Sequence, residues 1–358
     1  MTAQTIDVNL YNDPQGTALV ADVLYVSDEQ PGFQRKRRGR GFMYCDETGC
    51  SIREPGLLER FKTLVIPPGW THVWICSDPN GHIQVTGRDE QGRKQYIYHP
   101  RWAEVRNLAK FNRLLPFAEQ LPSIRAQAAV DLKAACLSRE KVVAIVVRLL
   151  EETHIRIGNP EYVRQNQSYG LTTLRKRHLQ LAEGTIRLKF KAKSGKLCEM
   201  AIEDKKLVRL IKKCQELPGQ TLFQYIDEEG GRRTVQSTDV NDYLHRITGE
   251  HFTAKDFRTW SGTVTAATAL YQLGPAQTVK ECKANLVTSI KEAAHALNNT
   301  PTVCRQYYIH PAIPAAYTDN SLFIMMQQAA EQVAESPFAL DIEEKAVVQI
   351  LRQAEAQA

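Results

Sequence analysis

No stretch of this 358-residue chain approaches the roughly 18–20 consecutive apolar residues that a bilayer span requires. Its opening segment, MTAQTIDVNLYNDP, has no basic-then-apolar layout of a secretory leader. A cytoplasmic, nucleoid-associated protein is therefore the expectation. Cysteine is present eight times but never as a CxxC pair. Cys45 and Cys50 have no second pair of ligands at zinc-site spacing, so the cysteines read as reduced thiols and no metal site is expected. Internal repeats and low-complexity tracts are missing too.

What remains is an ordinary soluble composition, 43% hydrophobic, over a length that suits two domains. Lys and Arg number 46 against 40 acidic residues, a formal charge of +6 that tilts the chain toward polyanionic partners. The charge is concentrated in Gln34 to Gly41, QRKRRGRG, which reads either as a solvated loop or as part of a nucleic-acid surface. From Leu24 to about His99, short alternating segments are broken by turn signals at Asp28 to Gly32, Asp46 to Gly49, Pro67 to Gly69, Asp78 to Gly81 and Asp89 to Gly92. That pattern predicts a small, mainly antiparallel sheet. Pro100 to Asn107 reads as a linker, and helical periodicity takes over from about Leu108. The expected class is α+β: an N-terminal β domain over residues 1–106, then a larger, mainly helical domain over 107–358.

Within the second part, Ser138 can cap a helix with the apolar face Val142, Val143, Ile145, Val146, Leu149 and Leu150, running to Gly158 with Pro160 beyond. Thr185 to Ile202 reads as a β-hairpin turning at Ala192 to Gly195. The tail from Ser321 is amphipathic, with Ile342, Ala346, Val347, Ile350 and Leu351 at helical spacing.

Certain side chains suit phosphoryl chemistry without a metal. Arg156 stands in HIRIGNPEYV at the expected helix end, Lys193 at the hairpin tip in KFKAKSGKLCEM, and Arg258 in AKDFRTWSGT. In ALNNTPTVCRQYYIHP a helix ends at the asparagines; Thr300 then caps a new helix with Pro301 at its first position. Tyr307 and Tyr308 fall two turns into it. Successive helical residues point about 100° apart, so one phosphate can be met by only one of them, and the other is expected in the core.

Together these segments resemble the signature blocks of the bacterial and poxvirus-like type IB DNA topoisomerases, from Tyr25 to about Ile313. The similarity runs through YVSDEQPG, the basic run, IPPGWTHVWIC and GHIQVTGRDEQGRKQYIYH, blocks like that family's N-terminal DNA clamp. It continues through RIGNPEYVRQNQSYGLTTLRKRH, FKAKSGK, KDFRTWSGT and NNTPTVCRQYYIHP. The resemblance implies Arg156 and Arg258 as paired catalytic arginines, Lys193 as general acid and Tyr308 as nucleophile, since Tyr308 directly precedes Ile-His-Pro. Asn299 stands where eukaryotic and poxvirus enzymes carry a histidine, as in bacterial members; His295 is four residues too early. DNA contacts are implied for Arg93, Gln95, Tyr96, Tyr98, Tyr162 and Lys255. Alternation puts Tyr96 and Tyr98 on one strand face, with a core position open for either.

The implied reaction relaxes positive and negative supercoils by cutting one strand through a 3′-phosphotyrosyl link, swivelling and resealing. Guanidiniums supply fixed charge for the phosphate oxygens, Asn299 a neutral donor, and Lys193 a proton for the departing 5′-oxygen. No Walker-like loop or acidic pair accompanies the motifs, so neither ATP nor a metal cofactor is expected; the partner is double-stranded DNA, gripped mainly through phosphates by a monomer. A tyrosine recombinase, the nearest rival, has a His-x-x-Arg block where this chain has Lys255-Asp-Phe-Arg258. A DNA-binding protein with a structural tyrosine would not need the full set.

Overall fold

Alternating apolar positions between Phe33 and Ile97 close into an antiparallel sheet in the computed structural model, which describes residues 10–11, 13–182, 184–333 and 336–357. A helix α1 (Pro14–Val20) precedes the strands β1 (Gly32–Arg38) and β2 (Gly41–Cys45). Helix α2 (Pro55–Thr63) follows, then β3 (Thr71–Cys76), β4 (Ile83–Arg88), β5 (Lys94–Tyr98) and α3 (Pro100–Asn112). The spatial order is β2-β1-β3-β4-β5. Val73 and Ile75 of β3 and Val85 of β4 pack with Phe61 of α2 into one cluster; burying each such side chain contributes about 1.5–3 kcal/mol. Ala18, Ala21, Val23 and Trp102 form a second, smaller one.

The basic run is the hairpin of β1 and β2 rather than a loop. Arg35 is buried in it, donating to the carbonyls of Ile66 (2.9 Å), Pro67 (2.8 Å) and Trp70 (3.0 Å). Lys36, Arg37, Arg38 and Arg40 stay exposed.

Two compact units divide between Arg113 and Leu114. Pro100 to Asn107 are therefore not a linker: Pro100 at the first helical position and His99, whose Nδ1 accepts from the Arg101 N–H, start α3 there.

The second unit is mainly helical. It begins with α4 (Leu114–Asp131), α5 (Arg139–Thr153) and α6 (Pro160–Asn166). A three-stranded sheet of β6 (Leu179–Ala182), β7 (Thr185–Lys191) and β8 (Leu197–Ile202) follows in that spatial order. Next come α7 (Lys205–Glu216), β9 (Gln224–Ile226), β10 (Arg232–Thr234) and α8 (Ser237–Thr248). The chain continues through α9 (Ala254–Leu273), α10 (Val279–Ala296), α11 (Pro301–Tyr307), α12 (Ala312–Thr318), α13 (Ser321–Glu331) and α14 (Ile342–Ala356). The architecture is α+β, with a β-sheet unit before a larger helical one. Helix α9 is the axis of the helical unit: its first ten residues apart from Lys255 are buried on every side, as expected of a helix with neighbours all round. A capping box fixes its start, the Thr253 N–H donating to Asp256 Oδ2 (2.7 Å) and Thr253 Oγ1 accepting from the Lys255 N–H (3.3 Å). Among the described residues no helix is long and apolar enough to cross a membrane.

Two helix ends differ from the sequence reading. Ser138 caps α5, but the helix stops at Thr153 instead of running to Gly158, because His154 turns into the left-handed region (φ 53°) and its N–H closes onto the Leu150 carbonyl. Helix α11 ends at Tyr307, so Tyr308 sits at its C-terminal cap rather than inside it.

Candidate active site

Leaving α5 early puts Arg156 in an extended segment instead of on a helix. Its carbonyl accepts from the Leu171 N–H (2.9 Å), and the Ile157 carbonyl accepts from Thr172 (2.7 Å). A Cβ on Gly170 would lie 2.4 Å from the Arg156 carbonyl oxygen, so a side chain there would force the two segments apart. Glycine at 170 thus sets where the guanidinium starts.

Arg258 comes from the buried half of α9 and is 4% exposed. Its guanidinium donates to the His154 carbonyl and to the Leu297 carbonyl (2.8 Å), which ties it to the ends of α5 and α10. Its Cζ stands 5.4 Å from the centre of the Tyr308 ring, while Nε is buried with no hydrogen-bond partner among the described residues. Burial, and next the charge of Arg156, pull its pKa down to about 10, opposed by Tyr308. Arg258 therefore stays cationic at neutral pH.

Arg156 and Arg258 line one pocket with His154, Cys198, Leu297 and Asn298. Ala192 and Asn298, the chain neighbours of Lys193 and Asn299, line it as well. Lys193 itself is exposed on the turn between β7 and β8. Asn299 accepts from the Thr300 N–H through Oδ1 (3.1 Å), and its Nδ2 is buried without a partner. Buried donors left unpaired cost about 1–3 kcal/mol each, and Arg258 Nε and Asn299 Nδ2 are two such donors among the described residues.

The adjacent tyrosines are distributed contrary to the sequence reading, in which one of them belongs to the core. Tyr307 is 38% exposed. Tyr308 is half-buried against Ala266, Ala293, Leu297 and Cys304, and it is the ring beside Arg258. Tyr317, by contrast, is buried, and its hydroxyl donates to the Gly274 carbonyl (2.8 Å) and accepts from Asn285 (2.7 Å). The nearby thiols are poor alternatives as nucleophiles: burial pushes Cys198 up and Cys304 to about 11, leaving both neutral.

His154 escaped the sequence reading. Its carbonyl holds Arg258, its Nδ1 is buried without a partner, and burial, followed by the Arg258 charge, pushes its pKa down to about 4. A histidine at a left-handed helix end gives no local signal; glycine or asparagine is the usual residue there.

In the first unit, Arg93 and Gln95 both bond Asp89 Oδ2, at 2.7 and 2.9 Å. Tyr96 and Tyr98 are both exposed on the edge strand β5, rings parallel at 5.7 Å, and Tyr98 stacks on Trp102 at 4.4 Å. Neither belongs to the core. Tyr162 on α6 is 55% exposed, and Lys255 is exposed one turn before Arg258.

Arg156, Arg258 and Asn298 line one pocket, the Tyr308 ring stands beside Arg258, and comparison with known proteins gives the family. The profile of the eukaryotic DNA topoisomerase I catalytic core matches residues 99–334, and that of the bacterial DNA topoisomerase IB N-terminal domain matches 41–89. The DNA topoisomerase 1B of Acanthamoeba polyphaga mimivirus is 32% identical over 301 residues, 82% of this chain and 90% of that protein. The DNA topoisomerase 1B of vaccinia virus (strain Copenhagen) is 22% identical over 240 residues, 66% of this chain and 72% of that one. The DNA topoisomerase 1 of rabbit fibroma virus (strain Kasza) is 24% identical over 281 residues, covering 74% and 83%. The chain belongs to the type IB DNA topoisomerases, isomerases whose substrate is DNA.

Proposed function

We propose that this chain relaxes positive and negative supercoils by cutting one DNA strand with Tyr308, letting it swivel and resealing it, with no ATP or metal. The observation that carries the reading is the Tyr308 ring set against the buried Arg258 guanidinium. The Tyr308 hydroxyl loses its proton to solvent water as its oxygen forms a bond to the scissile phosphorus, and the bond from phosphorus to the 5′-oxygen breaks. The DNA stays attached as a 3′-phosphotyrosyl ester, and Lys193 gives its proton to the departing 5′-oxygen. Attack by the 5′-hydroxyl reverses each change, so the ester conserves the energy for resealing. Arg156, Arg258 and Asn299 face the non-bridging oxygens, where charge grows in the transition state. Tyr96, Tyr98, Arg93, Gln95, Tyr162 and Lys255 serve duplex binding. All five reacting-site residues lie in the helical unit of one chain, which supports action as a monomer.

The test is incubation of positively and negatively supercoiled plasmid in EDTA without ATP, with the protein trapped by denaturation. Both substrates should relax, and the linked peptide should carry its nucleotide on Tyr308. Strict dependence on Mg²⁺ or ATP would overturn the metal-free reading; an adduct on Tyr307 or Tyr317 would overturn the assignment of the nucleophile.

A further inference from the structure

Helix α9 does more than carry Arg258. One turn further on, Gly262 and Thr263 meet the chain where it leaves α11. A Cβ on Gly262 would lie 2.6 Å from the Tyr308 carbonyl oxygen, 3.1 Å from Tyr308 Cβ and 3.0 Å from Leu297 Cδ1. Only glycine lets both segments approach that closely. Leu297 is the residue whose carbonyl holds the Arg258 guanidinium. Thr263 is fully buried, and its Oγ1 accepts from the His310 N–H (3.1 Å). Its single proton is shared between the carbonyls of Thr259 (2.9 Å) and Tyr308 (3.2 Å). Thr263 therefore grips the backbone on both sides of Ile309, at the point where Tyr308 (φ −130°, ψ −5°) stops being helical. A seven-residue helix cannot by itself hold the side chain at its C-terminal cap rigidly, because the carbonyls of its last turn lack intrahelical partners.

We propose that Gly262 and Thr263 are positioning residues for the nucleophile: α9 fixes the Arg258 guanidinium and, one turn later, the backbone of Tyr308, so one rigid element sets the spacing between them. The inference rests on Tyr308 being the nucleophile. Neither residue touches DNA in this scheme; both act through the Tyr308 backbone.

The discriminating experiment is single-turnover cleavage of a suicide duplex whose short 5′-hydroxyl fragment diffuses away, measured beside duplex affinity. Thr263→Val keeps the shape but removes both hydrogen-bonding functions, and should slow cleavage roughly ten- to a hundredfold with affinity unchanged, the scale expected for a small misplacement of a reacting group. Thr263→Ser keeps the hydroxyl and should recover most of the rate. Gly262→Ala should be slowed like Thr263→Val. The factor should be the same when the scissile 5′-oxygen is replaced by sulfur, since a better leaving group does not relieve a misplaced nucleophile. Equal slowing by Thr263→Ser and Thr263→Val, or a Thr263→Val defect that sulfur erases, overturns the positioning role. Thr263→Ala, which leaves space, reports the same loss if the valine variant does not fold. Tyr308→Phe on the same duplex separates the two claims. With no adduct from Tyr308→Phe and a wild-type rate from Thr263→Val, the inference fails alone. An adduct persisting in Tyr308→Phe overturns the nucleophile and the inference with it.

Discussion

Lys193 is held in a different manner from the arginines. Arg258 is locked by the carbonyls of His154 and Leu297. Lys193 stands exposed on a tight turn closed by the Ala192 N–H on the Lys196 carbonyl (2.7 Å) and the Gly195 N–H on the Ala192 carbonyl (3.1 Å). Charge stabilisation needs fixed groups, because reorganisation during the reaction would cancel the gain; delivering a proton needs a group that can reach the leaving atom. The division predicts a chemical signature. Lys193→Ala should slow cleavage of ordinary DNA by about a hundredfold or more, the usual range for a lost general acid. Replacing the scissile 5′-oxygen by sulfur, which leaves without a proton, should restore most of the rate. Single-turnover rates on the two substrates decide it, and equal defects would remove Lys193 from that role. The contrast with Thr263→Val, slow on both, separates delivery of the proton from placement of the nucleophile.

At the scale of elements, the tail beyond Ile313 is part of the catalytic unit's frame. Arg125 of α4 donates through Nη2 to both oxygens of Glu344 on α14 (2.7 and 2.9 Å) and through Nε to Glu151 on α5 (2.5 Å). Trp260 of α9 donates to the same Glu344 (3.1 Å). Three helices meet on the Glu344 carboxylate, whose side chain is 7% exposed, and α5 joins them through Arg125. Removing Glu344 leaves Arg125 with Glu151 alone and strands the buried Trp260 N–H, at a cost on the order of 2–3 kcal/mol, below that of a fully uncompensated buried charge. Glu344→Ala should therefore lower unfolding stability by that order in urea, while a substitution at an exposed position of the same helix such as Gln353→Ala should be nearly silent; a Glu344→Ala protein of unchanged stability would make α14 an appendage. The frame was only partly legible beforehand. Period-2 and period-3.6 patterning gave the sheet unit, the α5 cap and the hairpin at Lys193, because local spacing decides those. The ends of α5 and α11 were misplaced, since His154 takes a left-handed turn that its identity does not announce and Tyr308 is pulled out of its helix by contacts with α9. The same holds for the site: Arg156, Arg258 and the Tyr-Tyr pair stood out as residues, whereas the roles of His154, Gly262 and Thr263 exist only once distant segments are packed.

Across the whole molecule, several histidines are built in as neutral groups. His82 in the sheet unit accepts the Val26 N–H on Nδ1 (3.0 Å), and His178 in the helical unit accepts the Arg175 N–H on Nδ1 (3.2 Å). A ring accepting at Nδ1 cannot also carry a proton there. Burial lowers the pKa of His82; burial, then Arg177 and Arg175, take His178 down to about 4, and His154 is likewise near 4. Unfolded histidine titrates near 6.5. Because the folded pKa lies below the unfolded one, the stability these groups contribute is complete above about pH 6.5 and is lost as pH falls toward 4, where the unfolded chain binds protons that the fold refuses. Each such proton is worth ~1.4 kcal/mol per pH unit while the two states differ fully. Glu152 and Asp341, raised by burial, work in the opposite direction and offset part of the loss. Asp28 and Asp89, lowered by bonds to Lys94 and Arg93 that outweigh their burial, add their own loss only below about pH 4. The acid limb should thus begin with histidines, near pH 6, rather than with carboxylates. Urea unfolding followed from pH 7.5 to 4.5 should show stability falling throughout that interval. His154→Asn, which keeps a residue tolerant of the left-handed turn, should flatten the slope in the helical unit, as should His178→Gln. A wild-type profile that stays level to pH 4.5, or variants with an unchanged slope, would show that these rings take up protons in the fold as readily as outside it.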